Sequence, residues 1–299
     1  MVFWRYTVSK TKIITAILII IVLMSAKYIF TYNTKITDTT QTNRLVEQQV
    51  KEVQSTEVVS DISSSSQSES IVNNIPQANK PANFTEGVWI KKYPENYACF
   101  KLETPEGIKI VADPYMMNET VQPDIVTESH QHADHVDLSK LQGTYKLINE
   151  TGSFHEKGVT ITGYQGKHNK GEMSEPNIIF VYEINGLKIA HFASQGELPS
   201  DETLGKIKNA DVLLIQASIK PQYANSKMNL EETKYIIDKL NPKIVIPEHG
   251  SENLGKALAA YLGLNVEFIK NGEVIVTKGE LDAAKSLRVL DLDVDVPKE

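Results

Sequence analysis

Cysteine is all but missing from this chain. Among 299 residues there is one, Cys99, which excludes an intrachain disulfide and a thiolate metal site. It also lies far from the N-terminus, so no cysteine follows the apolar N-terminal run as a lipoprotein would require. Set in the apolar stretch Tyr97-Ala-Cys-Phe100, Cys99 reads as a small buried hydrophobe. Basic residues are outnumbered, 31 against 38 acidic, and the formal net charge of −7 argues against a broad phosphate-binding surface and hence a nucleic-acid partner. Histidine is scarce too, with seven. What is plentiful is ordinary: 41% apolar and 23% charged residues describe a chain that folds.

Long apolar runs are equally few. The one at the N-terminus, Ile13 to Ala26, reads IITAILIIIVLMSA, with Arg5, Lys10 and Lys12 before it and Lys27-Tyr-Ile-Phe30 after it. A bilayer span needs about 20 apolar residues, a length reached if Lys27 snorkels to the interface. Residues 13–30 are therefore read as an uncleaved transmembrane anchor, with a cleaved signal peptide as the alternative. The charge bias puts residues 1–12 in the cytoplasm and the rest outside. On this reading the chain is membrane-anchored with an extracytoplasmic domain, or secreted if the leader is cleaved. Residues 31–84, which include TDTTQT and SSSSQSES, offer too little apolar surface to offset ordering entropy and read as a flexible linker.

From residue 85 the texture changes to short β-rich runs: VWIKKY, YACFKLE, IKIVAD, VTITG, IIFVYEI and LKIAHFA. Asn185-Gly186 and Asn271-Gly272 each predict a type I′ hairpin. Asn229 with Glu232 predicts a capped helix LEETKYIIDKL with Tyr235, Ile236, Ile237 and Leu240 on one face, stopped at Asn241-Pro242. Ser251 is placed to cap the next helix, and DVLLIQA, residues 211–217, predicts a buried strand. Together these suggest two sheets between helices in one domain over 85–280, with an acidic tail at 281–299.

Three of the seven histidines fall in SHQHADH, residues 129–135. A metal site needs lone pairs converging to about 2.0–2.2 Å, which imidazole and carboxylate supply. DIVTE reads as a strand leading into the motif, and side chains two apart on extended backbone point the same way, so His130 and His132 can grip one ion. Asp134 and His135 follow at the turn, where they can face a second position. His155 reads as an exposed turn residue.

This stretch resembles H-x-H-x-D-H, the signature of the metallo-β-lactamase fold, a four-layer αββα sandwich. NYACFKLETPEGIKIVADPY resembles that fold's opening strands, closing on Asp113-Pro114, and later features resemble the branch that includes L-ascorbate-6-phosphate lactonase. The resemblance carries GVTITGYQGKHNKG, with His168, and LNPKIVIPEHG, with His249. It implies a first metal on His130, His132 and His168, and a second on Asp134, His135 and His249. By ligand type zinc is expected first, with manganese implied as the alternative by relatives of this branch, as one or two ions.

The departure is at HFASQGE, residues 191–197. Ser194 stands where relatives place an aspartate bridging both metals, and a neutral hydroxyl cannot offset the repulsion of two dications. Glu197, three residues on, is the candidate substitute ligand. His191 and Asp113 are candidates for orienting the ligands from outside, while Glu248 reads as pointing away.

A bound metal lowers the pKa of water to about 7, and Asp134 is placed to position or accept its proton. The expectation is a hydrolase acting on a small-molecule lactone, ester or phosphodiester, with one ion held tightly. The alternatives are a degenerate binding domain of the same fold and, third, a nuclease.

Overall fold

The computed structural model describes residues 81, 84–93, 97–172, 174–248 and 253–292. They form two β-sheets packed face to face. The six-stranded sheet runs β13-β1-β2-β3-β4-β5 and the eight-stranded sheet β12-β14-β11-β10-β9-β8-β7-β6. In the first sheet β1 (Val88–Lys92), β2 (Phe100–Glu103) and β3 (Lys109–Ala112) are antiparallel, and β4 (Ile125–Thr127) and β5 (Lys146–Ile148) continue in parallel. In the second, β6 (Gly152–Glu156), β7 (Val159–Lys167), β8 (Pro176–Ile184) and β9 (Leu187–His191) form an antiparallel meander. β10 (Val212–Gln216) and β11 (Ile244–Glu248) then join β9 in parallel.

This topology decides where chemistry can sit. The chain leaves β9, β10 and β11 at the same edge of the sheet because they are parallel, and β7, two antiparallel steps from β9, ends there too. Functional side chains gather outside such carboxyl ends, where the backbone is no longer committed to the ladder. Asp113 follows β3, the histidine motif follows β4, and His168 follows β7.

The apolar pattern explains the layers. Alternate residues of both sheets, among them Phe100, Ile110, Ile125, Phe180, Leu214 and Ile246, are buried together between them. The opposite face of the eight-stranded sheet packs on α1 (Asp201–Ile207) and α2 (Leu230–Leu240) through Leu204, Ile207, Ile236 and Leu240, and on α3 (Leu254–Tyr261) through Leu258. Full burial of each such side chain contributes about 1.5–3 kcal/mol. β10, parallel on both sides, is buried at every residue.

Several expectations are met and several corrected. Asn185 and Gly186 have φ of 49° and 77°, the left-handed pair that a type I′ turn requires. Asn229 forms a complete capping box with Glu232, and Asn241 closes α2 in the left-handed conformation. The buried face of α2, however, is Thr233, Ile236, Ile237 and Leu240, with Tyr235 exposed and bonded to Asp201. α3 begins after Asn253, and Ser251 lies outside the described residues.

Asn271-Gly272 does not join a hairpin. β12 (Val266–Phe268) edges the eight-stranded sheet and β13 (Glu273–Val276) the six-stranded one, so the turn passes the chain from one sheet to the other. Nor is 281–299 wholly a tail: Arg288–Asp291 is β14, set in parallel between β11 and β12, after α4 (Lys278–Ala283). Of the four implied layers, the described residues supply three. Against the outer face of the six-stranded sheet Met117 and Val121, from the loop after β3, pack on Tyr93, Cys99 and Val111, and no α-helix among the described residues does so.

The membrane-anchored location is also corrected. Among the described residues no helix is long and apolar enough to cross a membrane. The longest, α2, has 11 residues, about 17 Å of helix against a hydrocarbon core of about 30 Å. Residues 13–30, where the anchor was expected, lie outside the described residues, as do 1–12 and most of the 31–84 linker.

Candidate metal centre

Two groups of side chains among the described residues bring potential ligand atoms within 4.8 Å of one another: His130, His132 and His168, and His130, Asp134 and His135. His130 belongs to both. The first group joins segments 36 residues apart, and its rings lie 4.6–4.7 Å apart between centroids. Within it the buried Nε2 of His130 and Nδ1 of His168 find no hydrogen-bond partner, an arrangement that a cation among the rings would relieve.

Hydrogen bonds fix which nitrogen His130 offers. Ser129 Oγ donates to Asp113 Oδ2 at 2.7 Å, and so must accept the Nδ1 proton of His130 at 3.0 Å. The Nε2 lone pair of His130 is then left buried and without a hydrogen-bond partner. Burial first, then the ring of His135, pushes the His130 pKa down to about 3 against the pull of Asp113. A neutral imidazole with a bare, buried nitrogen is the form that binds a metal. His168 is lowered in the same direction, chiefly by burial and by His132.

His135, fully buried, has Nδ1 3.0 Å from Asp113 Oδ2. Its Nε2 faces Asp134 Oδ2 at 3.9 Å and Ser194 Oγ at 3.2 Å. With the ring proton on the Asp113 side, Nε2 accepts from the Ser194 hydroxyl. The serine therefore occupies the lone pair that a second ion would need.

Asp113 is the hub of this arrangement. It accepts from the Ser129 N–H at 2.6 Å and from the Ser129 hydroxyl, and touches His135. Burial would raise its pKa, but the His135 and His191 rings and the Ser129 N–H bring it down to about 2. Its φ of 46° and the 50° of Ala193 are left-handed in non-glycine residues, strain of the kind that persists where surrounding contacts dictate the conformation.

Sequence reasoning missed Glu248. It is buried, lies 3.0 Å from His191 Nε2, and accepts the Ala193 N–H at 2.9 Å. His191 thus lies between Glu248 and, 4.0 Å away, Asp113. Burial lowers its pKa, but the two carboxylates outweigh that and hold it above the ordinary imidazole value. The only signal in the sequence was a carboxylate at the end of an apolar strand, beside His249. His249 itself lies outside the described residues.

Glu197 belongs to neither group. Its carboxylate is engaged by Lys167 Nζ at 2.8 Å and by the Gly171 N–H at 3.0 Å. His155 is exposed on β6, beside Thr160, rather than in a turn. Lys227, also missed, sits close enough for Asp134 to act on its charge, and burial brings its pKa down to about 8.

The loop that carries Ser194 is held by Gly196. A Cβ there would overlap the carbonyl oxygens of His168 and Ser226. Gly196→Ala is therefore expected to displace His168, destabilising the protein by about 2 kcal/mol and weakening any metal held there. Urea unfolding and elemental analysis check this, and parental values in both would refute it.

Residues 95–249, just over half of the chain, match the model of the beta-lactamase superfamily domain. Among solved structures, a metallo-β-lactamase superfamily protein from Thermotoga maritima, assigned as a zinc-dependent hydrolase, shares 27% identity, covering 68% of this chain and 97% of that one at a TM-score of 0.55. A metallo hydrolase from Ignicoccus hospitalis shares 16%, covering 60% and 94% at a TM-score of 0.46. The fold protein YhfI of Bacillus subtilis shares 11%, covering 71% and 99% at 0.48. No curated protein matches the sequence. From the family match, the sandwich and the histidine cluster at its strand ends, the chain belongs to the metallo-β-lactamase superfamily.

Proposed function

We propose that this chain is a metal-dependent hydrolase of small lactones, esters or phosphodiesters that holds one ion tightly. The observation that supports it most is the convergence of His130, His132 and His168 with the Nε2 of His130 buried and unpartnered. These three would hold the tight ion, zinc first by ligand type and manganese second. Bound there, the ion supplies a Lewis acid and a water of lowered pKa, about 7.

The remaining steps fall to the chain's own groups. Asp134, whose side chain is 31% exposed, can reach substrate-side water and take up a proton at its carboxylate. Lys227 brings a cation to the same carboxylate and can hold an anionic substrate group or the charge that develops on reaction. Asp113 and Ser129 orient the rings without touching substrate. Substrate choice by analogy with the lactonase branch stays within this proposal.

Metal analysis of purified protein, with turnover of a nitrophenyl phosphodiester and a lactone in added zinc or manganese, tests it. His130→Ala should lose both metal and turnover. Turnover unchanged in His130→Ala would sink the reading. A second reading, a binding domain that no longer hydrolyses, is favoured by Ser194 seated on His135. It predicts retained metal without turnover of either substrate.

A further inference from the structure

We propose that Glu175 is a positioning residue for the metal centre, gripping two of its histidines from the loop between β7 and β8. This rests on the metal-centre reading above. Glu175 Oε2 lies 2.5 Å from Nε2 of His132. Its backbone carbonyl accepts the His168 N–H at 2.9 Å. One residue therefore touches the side chain of one ligand and the backbone of another.

The geometry specifies what this does. An imidazole has two nitrogens, and a carboxylate at one of them holds a proton there. A carboxylate 2.5 Å from Nε2 favours the tautomer with its proton there, which leaves the lone pair of His132 on Nδ1 for the ion. Glu175 is in neither ligand group, so its carboxylate acts through the ring rather than on the metal. Such a partner fixes tautomer and ring orientation and raises ligand basicity, and its loss costs about 10–100-fold in metal affinity.

The loop is built to present this residue. Ser174 Oγ accepts the Asn169 N–H at 2.8 Å and donates to the Glu175 carbonyl at 3.2 Å. Asn169, Ser174 and Glu175 are thereby tied together directly beside His168. Ser129 and Asp113 serve His130 and His135 in the same way, and Glu175 completes the set by doing so for His132. Unlike Asp113, the Glu175 side chain is 59% exposed. The fold does not depend on it, and this separates its role from a structural one.

The test is zinc affinity of the full chain, measured by competition with a chromophoric chelator, for the parent and for Glu175→Ala, Glu175→Gln and His130→Ala. Glu175→Ala should bind zinc about 10–100-fold more weakly, with the melting temperature of the metal-free protein unchanged. Glu175→Gln, whose amide oxygen still accepts from Nε2–H, should recover most of the loss. Long-range proton–nitrogen NMR of the histidines should place the His132 proton on Nε2 in the parent and not in Glu175→Ala. Parental affinity in Glu175→Ala, alongside a weakened His130→Ala, overturns this proposal alone. A parent that binds no more zinc than His130→Ala overturns the metal centre and this proposal with it.

Discussion

Ser194→Asp should raise the metal retained by the purified protein from about one equivalent per chain to two, and hydrolytic turnover with it. The size of the effect follows from charge. Two dications about 4 Å apart, the spacing of two-metal sites, repel by roughly 16 kcal/mol at an effective dielectric of about 20. A carboxylate shared between them recovers an energy of that order from each ion, whereas a hydroxyl recovers only a dipole's share. Position 194 is already aimed correctly, since Ser194 Oγ lies 3.2 Å from the ring nitrogen of His135 that faces Asp134. The serine also donates to that nitrogen, so its replacement frees a lone pair while adding a charge. Ser194→Asn, neutral and of aspartate's size, should stay at one equivalent. Elemental analysis after dialysis against a mild chelator reads the outcome. A folded Ser194→Asp chain that still holds one equivalent refutes the argument.

Asp113→Ala should be the most damaging single change near the site. Asp113 is fully buried, and its removal strands the Ser129 N–H, the Ser129 hydroxyl, the Nδ1 of His135 and one flank of the His191 ring. Removing one partner of a buried charged pair costs about 3–5 kcal/mol, because the group left behind keeps its desolvation penalty. His130 and His135 would lose their orientation together, one through Ser129 and one directly, so zinc affinity should fall by about 10–100-fold. Urea unfolding of the metal-free protein and chelator competition separate the two effects. A loss of zinc affinity with unchanged metal-free stability would mean that Asp113 orients the ligands without supporting the fold. A change in neither would refute its place at the hub.

Much of the side-chain cluster was legible in the sequence because four of its members, His130, His132, Asp134 and His135, sit in a contiguous motif on an extended strand end. His130 and His132 needed only the two-residue alternation of a strand, and His168 only its place after a β-run. The orienting shell was not legible. Glu248 and His191 meet across 57 residues because β9 and β11 flank β10 in parallel, and nothing local at Glu248 signals which way it points. Glu175 reaches His132 from a loop whose closure depends on Ser174. The fold's errors have the same origin. Asn271-Gly272 has the backbone of a tight turn, with φ of 66° and 67°, yet local chemistry cannot say whether the strands on either side pair with each other. Residues 288–291 looked like an acidic tail because their apolar Val289 and Leu290 count only once β11 and β12 stand beside them.

His130 lies in both ligand groups, yet its Nε2 carries a single lone pair. Once the Ser194 hydroxyl turns away from His135, the two groups become alternative berths for one occupant, and choosing a berth means choosing a coordination chemistry. Three imidazoles suit zinc, and two imidazoles with the Asp134 carboxylate lean toward harder ions such as manganese. Exchanging the metal would then relocate it as well as replace it, moving the reactive point relative to Lys227.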